Sequence, residues 1–230
     1  MPHHPGSHLA WYARNAHPGL PLSIVAHSMG SLISTLAMLQ VEDVKCAVFT
    51  GAAIFQGPDA ASPFGIRFLY PISQTAFAKD ICKFLASFDP KGPAAPLVLS
   101  GVSSNPEVLK TFEIDPDHNN SSCMNKTAYE FLLMNDEVKA NVSKITVPLL
   151  CMHGESDTIT LPKSSEFFIE NCGETLLFNF LPQVQLGTSP DHKRLITYPN
   201  MKHDLFNEAE KETKECIDEC VKFVQQYCSP

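Results

Sequence analysis

Long apolar stretches are missing from this sequence. No apolar run approaches the roughly 20 residues that a membrane-spanning helix needs. Residues 1–5 contain no basic segment followed by an apolar one, so they do not resemble a secretory signal peptide. Positive charge is also scarce, with 17 Lys and Arg against 25 Asp and Glu. Because no basic stripe follows the chain and the net charge is −8, we expect no nucleic-acid partner.

Motifs for cofactors and metals are absent as well. The sequence has no glycine-rich phosphate loop, no CxxC pair and no histidine at zinc-finger spacing, so we expect neither a cofactor nor a metal. The eight scattered cysteines favour buried free thiols and a cytoplasmic protein. Four N-x-S/T sequences oppose this interpretation, and without a signal peptide we regard them as incidental. They begin at Asn119, Asn120, Asn125 and Asn141.

A strand followed directly by a serine turn and a helix is the most informative pattern in the chain. Residues 22–26 are mostly apolar, Ser28 comes two residues later, and 32–39 is an apolar run compatible with a helix. This order is typical of a nucleophile elbow, in which a strained turn projects a serine hydroxyl away from a sheet. Only small residues fit two places before and after that serine, and Ala26 and Gly30 meet this requirement.

The remaining pattern predicts an α/β protein with a parallel sheet. Strand, helix and strand at this spacing form a βαβ unit, which implies a right-handed crossover. The proline-rich section at about 57–145 shows no convincing strand and is interpreted as a helical cap inserted into one domain of residues 1–230. The predicted strands are 22–26, 45–51, 147–154 and 194–199. The predicted helices are 7–17, 32–39, 77–88, 107–112, 127–138, 161–172 and 208–227. In the first helix, the residues expected to be buried are Leu9, Trp11 and Tyr12.

Three strands are each followed by a residue type that ester hydrolysis needs. Ser28 follows the first strand, Asp157 a later one, and His203 the last, and this chain order is that of α/β hydrolases. Because the carboxyl ends of parallel strands meet at one edge of a sheet, we expect the three side chains to converge. Ser28 would attack a carbonyl, His203 would carry its proton, Asp157 would orient the imidazole, and the Met29 N–H would bind the oxyanion.

Three other residues have side chains suited to these roles. His27 adjoins Ser28, but neighbours in a sharp turn point in different directions, so it is interpreted as a packing residue. His153, in a His-Gly pair, is similar to an oxyanion-hole sequence but lies on the strand that leads to the acid. Asp204 directly follows the proposed base and does not curl back to it easily.

The chain resembles the monoglyceride lipase and lysophospholipase group of α/β hydrolases, which have a serine aminopeptidase S33-type domain. The resemblance covers nearly the whole chain. It rests on HPGLP at 17–21, AHSMG at 26–30, NPEV at 105–108, DP at 115–116, VPLL at 147–150, GESD at 154–157, and Tyr198, Pro199 and His203. It implies a serine ester hydrolase that acts on monoacylglycerols or lysophospholipids. It also implies an apolar acyl tunnel under a mobile cap that contacts membrane surfaces transiently.

Two departures from that group lead to further expectations. Its members have upstream strands and a His-Gly loop that supplies a second oxyanion donor, so we expect a partial α/β-hydrolase fold that is N-terminally incomplete. The segment 175–190 has the character of an insertion. The alternatives to a lipid hydrolase are a non-catalytic remnant or binding module, and a peptidase or general esterase on the same scaffold.

Overall fold

A computed structural model describes residues 5–57, 76–95, 98–116, 123–173 and 192–229. The expected insertion at 175–190 lies outside the described residues. The strands are β1 (Leu22–His27), β2 (Val44–Thr50), β3 (Pro93–Ala95), β4 (Cys123–Met124), β5 (Leu149–Gly154) and β6 (Lys193–Tyr198). The α-helices are α1 (Pro5–Ala16), α2 (Gly30–Met38), α3 (Ala76–Phe88), α4 (Pro106–Ile114), α5 (Asn125–Asn141), α6 (Lys163–Asn171) and α7 (Glu210–Cys228).

Four of the strands form one parallel sheet in the order β1-β2-β5-β6. These are the four predicted strands, and their bounds differ from the expected ones by one or two residues. The apolar runs were readable because β2 and β5 are buried on both faces. The expected α/β architecture with a parallel sheet is therefore confirmed for the described residues.

Helices cover both faces of the sheet, and the alternation of side chains along β2 explains why. Ala47 and Phe49 point into a core with residues of α2, α5 and α6. In that core the rings of Phe49 and Phe168 meet edge to face at 5.1 Å. Cys46 and Val48 point to the opposite face, where α7 contributes its buried residues. The sheet is thus a central layer, and the loops that follow its strands lie at the strand ends.

Helix α1 differs from the expectation for its side chains. Leu9, Trp11 and Tyr12 were predicted to be buried, yet 68–72% of each is exposed, and Ala10 is the buried position. The reason is that β1 is the edge strand of the described sheet, with Val25 half exposed, so nothing described covers the outer side of α1.

The predicted cap segment contains a feature that the sequence did not indicate. β3 and β4 pair antiparallel as a short two-stranded sheet where no strand was expected. Both strands are too short to produce an alternating pattern, and β3 begins with a proline. Whether 57–145 acts as a cap stays a prediction. No helix in the described ranges combines the length and apolar character that a membrane crossing requires.

A close approach at the end of β5 depends on a glycine. Gly154 ends β5, and a Cβ added there would overlap the carbonyl oxygens of Met201 and Lys202. The loop that follows β6 therefore passes directly over the end of β5. Any side chain at position 154 would push this loop away.

We predict that Gly154→Ala destabilises the protein by about 1–3 kcal/mol, because the added methyl overpacks rigid backbone. Gly30→Ala is the matched control, since its added Cβ would lie 3.5 Å from the Cβ of Ala26, an ordinary contact. Urea unfolding of the two variants gives the comparison. Equal midpoints for both variants would contradict the close approach.

Candidate active site

The turn between β1 and α2 holds Ser28 in a rare backbone conformation. Its φ angle is +53°, in the left-handed region that non-glycine residues seldom adopt. Hydrogen bonds hold it there: its N–H donates to Thr50 O at 2.9 Å, and its carbonyl accepts from the hydroxyl and the N–H of Ser31. The strained serine turn expected from the sequence is therefore present, and strain of this kind is concentrated at functional sites.

The neighbours of Ser28 fit the steric argument made from the sequence. Ala26 and Gly30 face each other across the turn, with space for little more than a methyl group between them. Met29 lies at the start of α2 and is partly exposed. Within the described chain its N–H has no hydrogen-bond acceptor, so this donor is available to a ligand at the turn.

Asp157 lies in the loop after β5 and is almost completely buried. Its Oδ1 accepts the backbone N–H groups of Ile159 and Thr160 at 2.8 and 2.9 Å. Its Oδ2 accepts the Thr160 hydroxyl at 2.9 Å and His203 Nδ1–H at 2.8 Å. His153 Nε2 lies 3.0 Å from the same oxygen. The carboxylate is thus surrounded by donors.

These donors decide the charge of Asp157. Burial alone would raise the pKa of this carboxyl, since a low dielectric disfavours the charged form. The interactions with His153 and His203 act in the opposite direction and outweigh it, so the pKa of Asp157 is held well below its usual range. The group is therefore a permanent anion at neutral pH.

His203 receives its orientation from this anion. Its Nδ1 bonds to Asp157, so the neutral imidazole carries its proton on Nδ1 and leaves Nε2 as the acceptor. In the described chain Nε2 makes no hydrogen bond with another residue. Gly51, with a φ angle of +54°, allows the ring to lie against the end of β2, because a Cβ there would be 3.0 Å from Nδ1.

Contacts of His27, Thr50 and Gly51 connect the turn that holds Ser28 to the loop that holds His203. The ring of His27 lies 4.7 Å from the ring of His203, and its Nδ1 is 3.0 Å from the Thr50 hydroxyl. Thr50 in turn accepts the Ser28 N–H, and Gly51 contacts His203. Among the described residues no hydrogen bond joins the Ser28 hydroxyl to His203. The structure brings Asp157 and His203 into contact, and His27, which precedes Ser28, packs against His203. The catalytic roles stay predictions.

The three alternative residues, His27, His153 and Asp204, have distinct positions. His27 contacts His203 as well as the sheet. Burial of its ring, and then repulsion by His203, lower its pKa to about 4, although the residue as a whole is exposed. His153 is completely buried beneath Asp157. Asp204 caps the following turn through the Phe206 N–H and the Asn207 amide, so it points away from the base.

The loop that carries His203 is fastened to segment 98–105 of the predicted cap. Asp204 N–H donates to Val102 O at 2.8 Å, and Lys202 Nζ donates to Ser100 O at 2.7 Å. The buried carboxylate of Glu208 accepts the N–H groups of Lys202 and Ser104 at 2.8 and 2.9 Å. We call this set of contacts the base-loop clasp.

Sequence reasoning missed Gly51, Thr160 and Glu208. Thr160 is buried, and its hydroxyl lies within 3.1 Å of Gly51 O, Asp157 Oδ2 and His203 Nδ1. Gly51 carried a weak signal, because it is a glycine directly after an apolar strand. Thr160 and Glu208 carried none, since their partners are distant in the sequence.

Curated relatives are similar in sequence to this chain over most of its length. A monoacylglycerol lipase from Mycolicibacterium smegmatis is 22% identical over 217 residues, which is 94% of this chain and 66% of the relative. The caffeoylshikimate esterase of Arabidopsis thaliana is 28% identical over 211 residues, which is 88% of this chain and 56% of that enzyme. The chain thus spans less than two thirds of the length of these relatives.

Solved structures have the same fold. A soluble variant of monoglyceride lipase from Saccharomyces cerevisiae, in complex with a substrate analog, superposes with a TM-score of 0.71 at 21% identity. The match covers 97% of this chain and 68% of that one. Residues 8–210 match the family described as serine aminopeptidase, S33. On this match over most of its length, the chain belongs to the serine aminopeptidase S33 family of α/β hydrolases.

Proposed function

We propose that this chain is a serine ester hydrolase that cleaves monoacylglycerols or lysophospholipids through an acyl-enzyme. Ser28 is the nucleophile, His203 the general base and acid, Asp157 the group that orients the imidazole, and the Met29 N–H an oxyanion donor. The observation that carries the proposal is the buried Asp157–His203 hydrogen bond, which is supported by the φ angle of +53° at Ser28 in the turn after β1. The relatives named monoacylglycerol lipase support the substrate class.

In the first half-reaction the Ser28 hydroxyl attacks the ester carbonyl and gives its proton to Nε2 of His203. An alcohol needs such a base, because it is a weak nucleophile at neutral pH. The Asp157 carboxylate stabilises the imidazolium that forms, and the Met29 N–H stabilises the negative oxygen. The bond to the leaving alcohol then breaks, and His203 returns the proton to that alcohol. The acyl group remains on Oγ of Ser28.

In the second half-reaction water takes the place of the alcohol. His203 removes a proton from the water, and the resulting attack gives a second tetrahedral oxyanion at the same donor. Collapse breaks the bond between the acyl carbon and Oγ, releases the fatty acid, and returns the proton to Ser28. Asp157 stays charged throughout, which agrees with its depressed pKa.

We predict that a fluorophosphonate probe labels the wild-type chain and that Ser28→Ala abolishes the labelling, because the substitution removes the attacking oxygen. Ser87→Ala is the control, since Ser87 lies on the exposed side of α3 and bonds only within its helix. Gel fluorescence after labelling is the measurement. A folded wild-type chain that takes up no probe would favour the non-catalytic alternative.

The lipid substrate class predicts a dependence on acyl-chain length. Each buried CH₂ contributes about 0.8 kcal/mol, and binding energy from remote parts of a substrate is used at the reacting centre. We therefore expect kcat/KM for monoacylglycerols and lysophospholipids to rise with chain length from acetyl to long acyl. A flat profile, or faster turnover of an aminoacyl p-nitroanilide, would favour the general-esterase or peptidase alternative.

The same proposal includes transient membrane contact through the predicted cap. Phe84 and Phe88 are two-thirds exposed or more, and their rings lie parallel at 6.1 Å on one side of α3. Two exposed aromatic rings on a helix are suited to the interfacial region of a bilayer.

We predict that Phe84→Ser with Phe88→Ser reduces co-sedimentation of the protein with phosphatidylcholine vesicles, since the apolar contact area is lost. Trp11→Ser is the matched control, because Trp11 is equally exposed but lies on α1, outside the cap. If the Trp11 variant loses vesicle binding and the double variant keeps it, the contact surface is α1 and not the cap.

A further inference from the structure

A second histidine lies directly beneath the proposed acid, and the mechanism above does not use it. His153 is at the end of β5 and has no exposed surface. Its Nδ1 lies 2.8 Å from the Ser165 hydroxyl, and its Nε2 lies 3.0 Å from both Thr160 O and Asp157 Oδ2. A buried imidazole with three polar contacts is held in one orientation.

The partners decide which nitrogen of His153 carries the proton. Thr160 O and the Asp157 carboxylate are acceptors only, so Nε2 must carry a hydrogen to face them. That hydrogen points most directly at Thr160 O. Nδ1 then accepts from the Ser165 hydroxyl, which can rotate to donate. The neutral Nε2–H form thus satisfies every contact without burying another charge.

Thr160 connects this histidine to the proposed triad. Its hydroxyl contacts Asp157 Oδ2 and His203 Nδ1, and its N–H donates to Asp157 Oδ1. The hydrogen bond from His153 to the Thr160 carbonyl therefore fixes the loop that presents both carboxylate oxygens of Asp157. Without that hold, the hydrogen bond from the Asp157 N–H to Gly154 O is what remains between this loop and β5 among the described residues.

Resting on the proposed function, we propose that His153 is a positioning residue: its Nε2–H holds the acid loop at Thr160 so that Asp157 Oδ2 faces His203. The ionisable groups around this cluster come from four elements. They are His27 on β1, Cys151 on β5, and Asp157, His203 and Asp204 in the loops after β5 and β6. In the described part of the chain, His153 is the ionisable residue whose hydrogen bond to the Thr160 carbonyl is seen.

Substitution of His153 by Asn or by Gln tests its two nitrogens separately. Asn reaches about as far as Nδ1, towards Ser165, whereas Gln reaches about as far as Nε2, towards Thr160. We expect His153→Asn to lower kcat by about 10²-fold, as a misplacement of about 1 Å does, with KM little changed. His153→Gln should recover most of the loss. His153→Met, which fills the space without a donor, is the second loss variant.

The pH profile separates positioning from a merely structural role. If Asp157 swings away, the imidazolium of His203 loses its stabilising anion, and the acid limb of kcat/KM moves to lower pH. Cys172→Ala is the stability control, because it removes a buried side chain of the core formed with α2, α5 and α6. It should lower the unfolding midpoint and leave the pH profile unchanged.

Proton NMR of the Asp157–His203 hydrogen bond provides a readout that needs no turnover. We expect the low-field Nδ1–H signal of His203 in the wild type and in His153→Gln, and its loss in His153→Asn and His153→Met. A signal retained in both loss variants, or an acid limb that stays in place or moves to higher pH, would overturn the inference. If the wild-type chain hydrolyses no ester, the proposed function fails, and the NMR comparison still decides the role of His153.

Discussion

A carboxylate that is both buried and charged is stable only when donors surround it, and Asp157 imposes this constraint on the site. The donors come from its own loop, from His153 at the end of β5 and from His203 after β6. Each of these elements must be in place for the others to be satisfied. The charge therefore holds the two loops and β5 together, and the orientation of the imidazole follows from it.

Much of this arrangement was readable in the chain. The strands of a parallel sheet are buried on both faces, so β2 and β5 appear as continuous apolar runs. The serine turn was readable because its steric demand restricts residues 26 and 30 to small side chains. Asp157 and His203 followed from their positions after strands, since parallel strands place their carboxyl ends at one edge.

The parts that sequence reasoning missed depend on contacts between distant segments. The outer face of α1 was expected to be buried from its apolar residues alone, but burial needs a neighbour, and β1 is the edge strand of the described sheet. The support from Thr160, His153 and Glu208 is invisible for the same reason. Their roles depend on which loops are in contact in the folded protein, and a local sequence pattern does not predict such contacts.

The base-loop clasp has a mechanical consequence. Hydrogen bonds of Lys202, Asp204 and Glu208 connect the loop that carries His203 to segment 98–105. A displacement of that segment would therefore also move the imidazole of His203, the proposed proton acceptor, relative to Ser28. In the proposed mechanism the position of the base is therefore coupled to the position of this segment of the predicted cap.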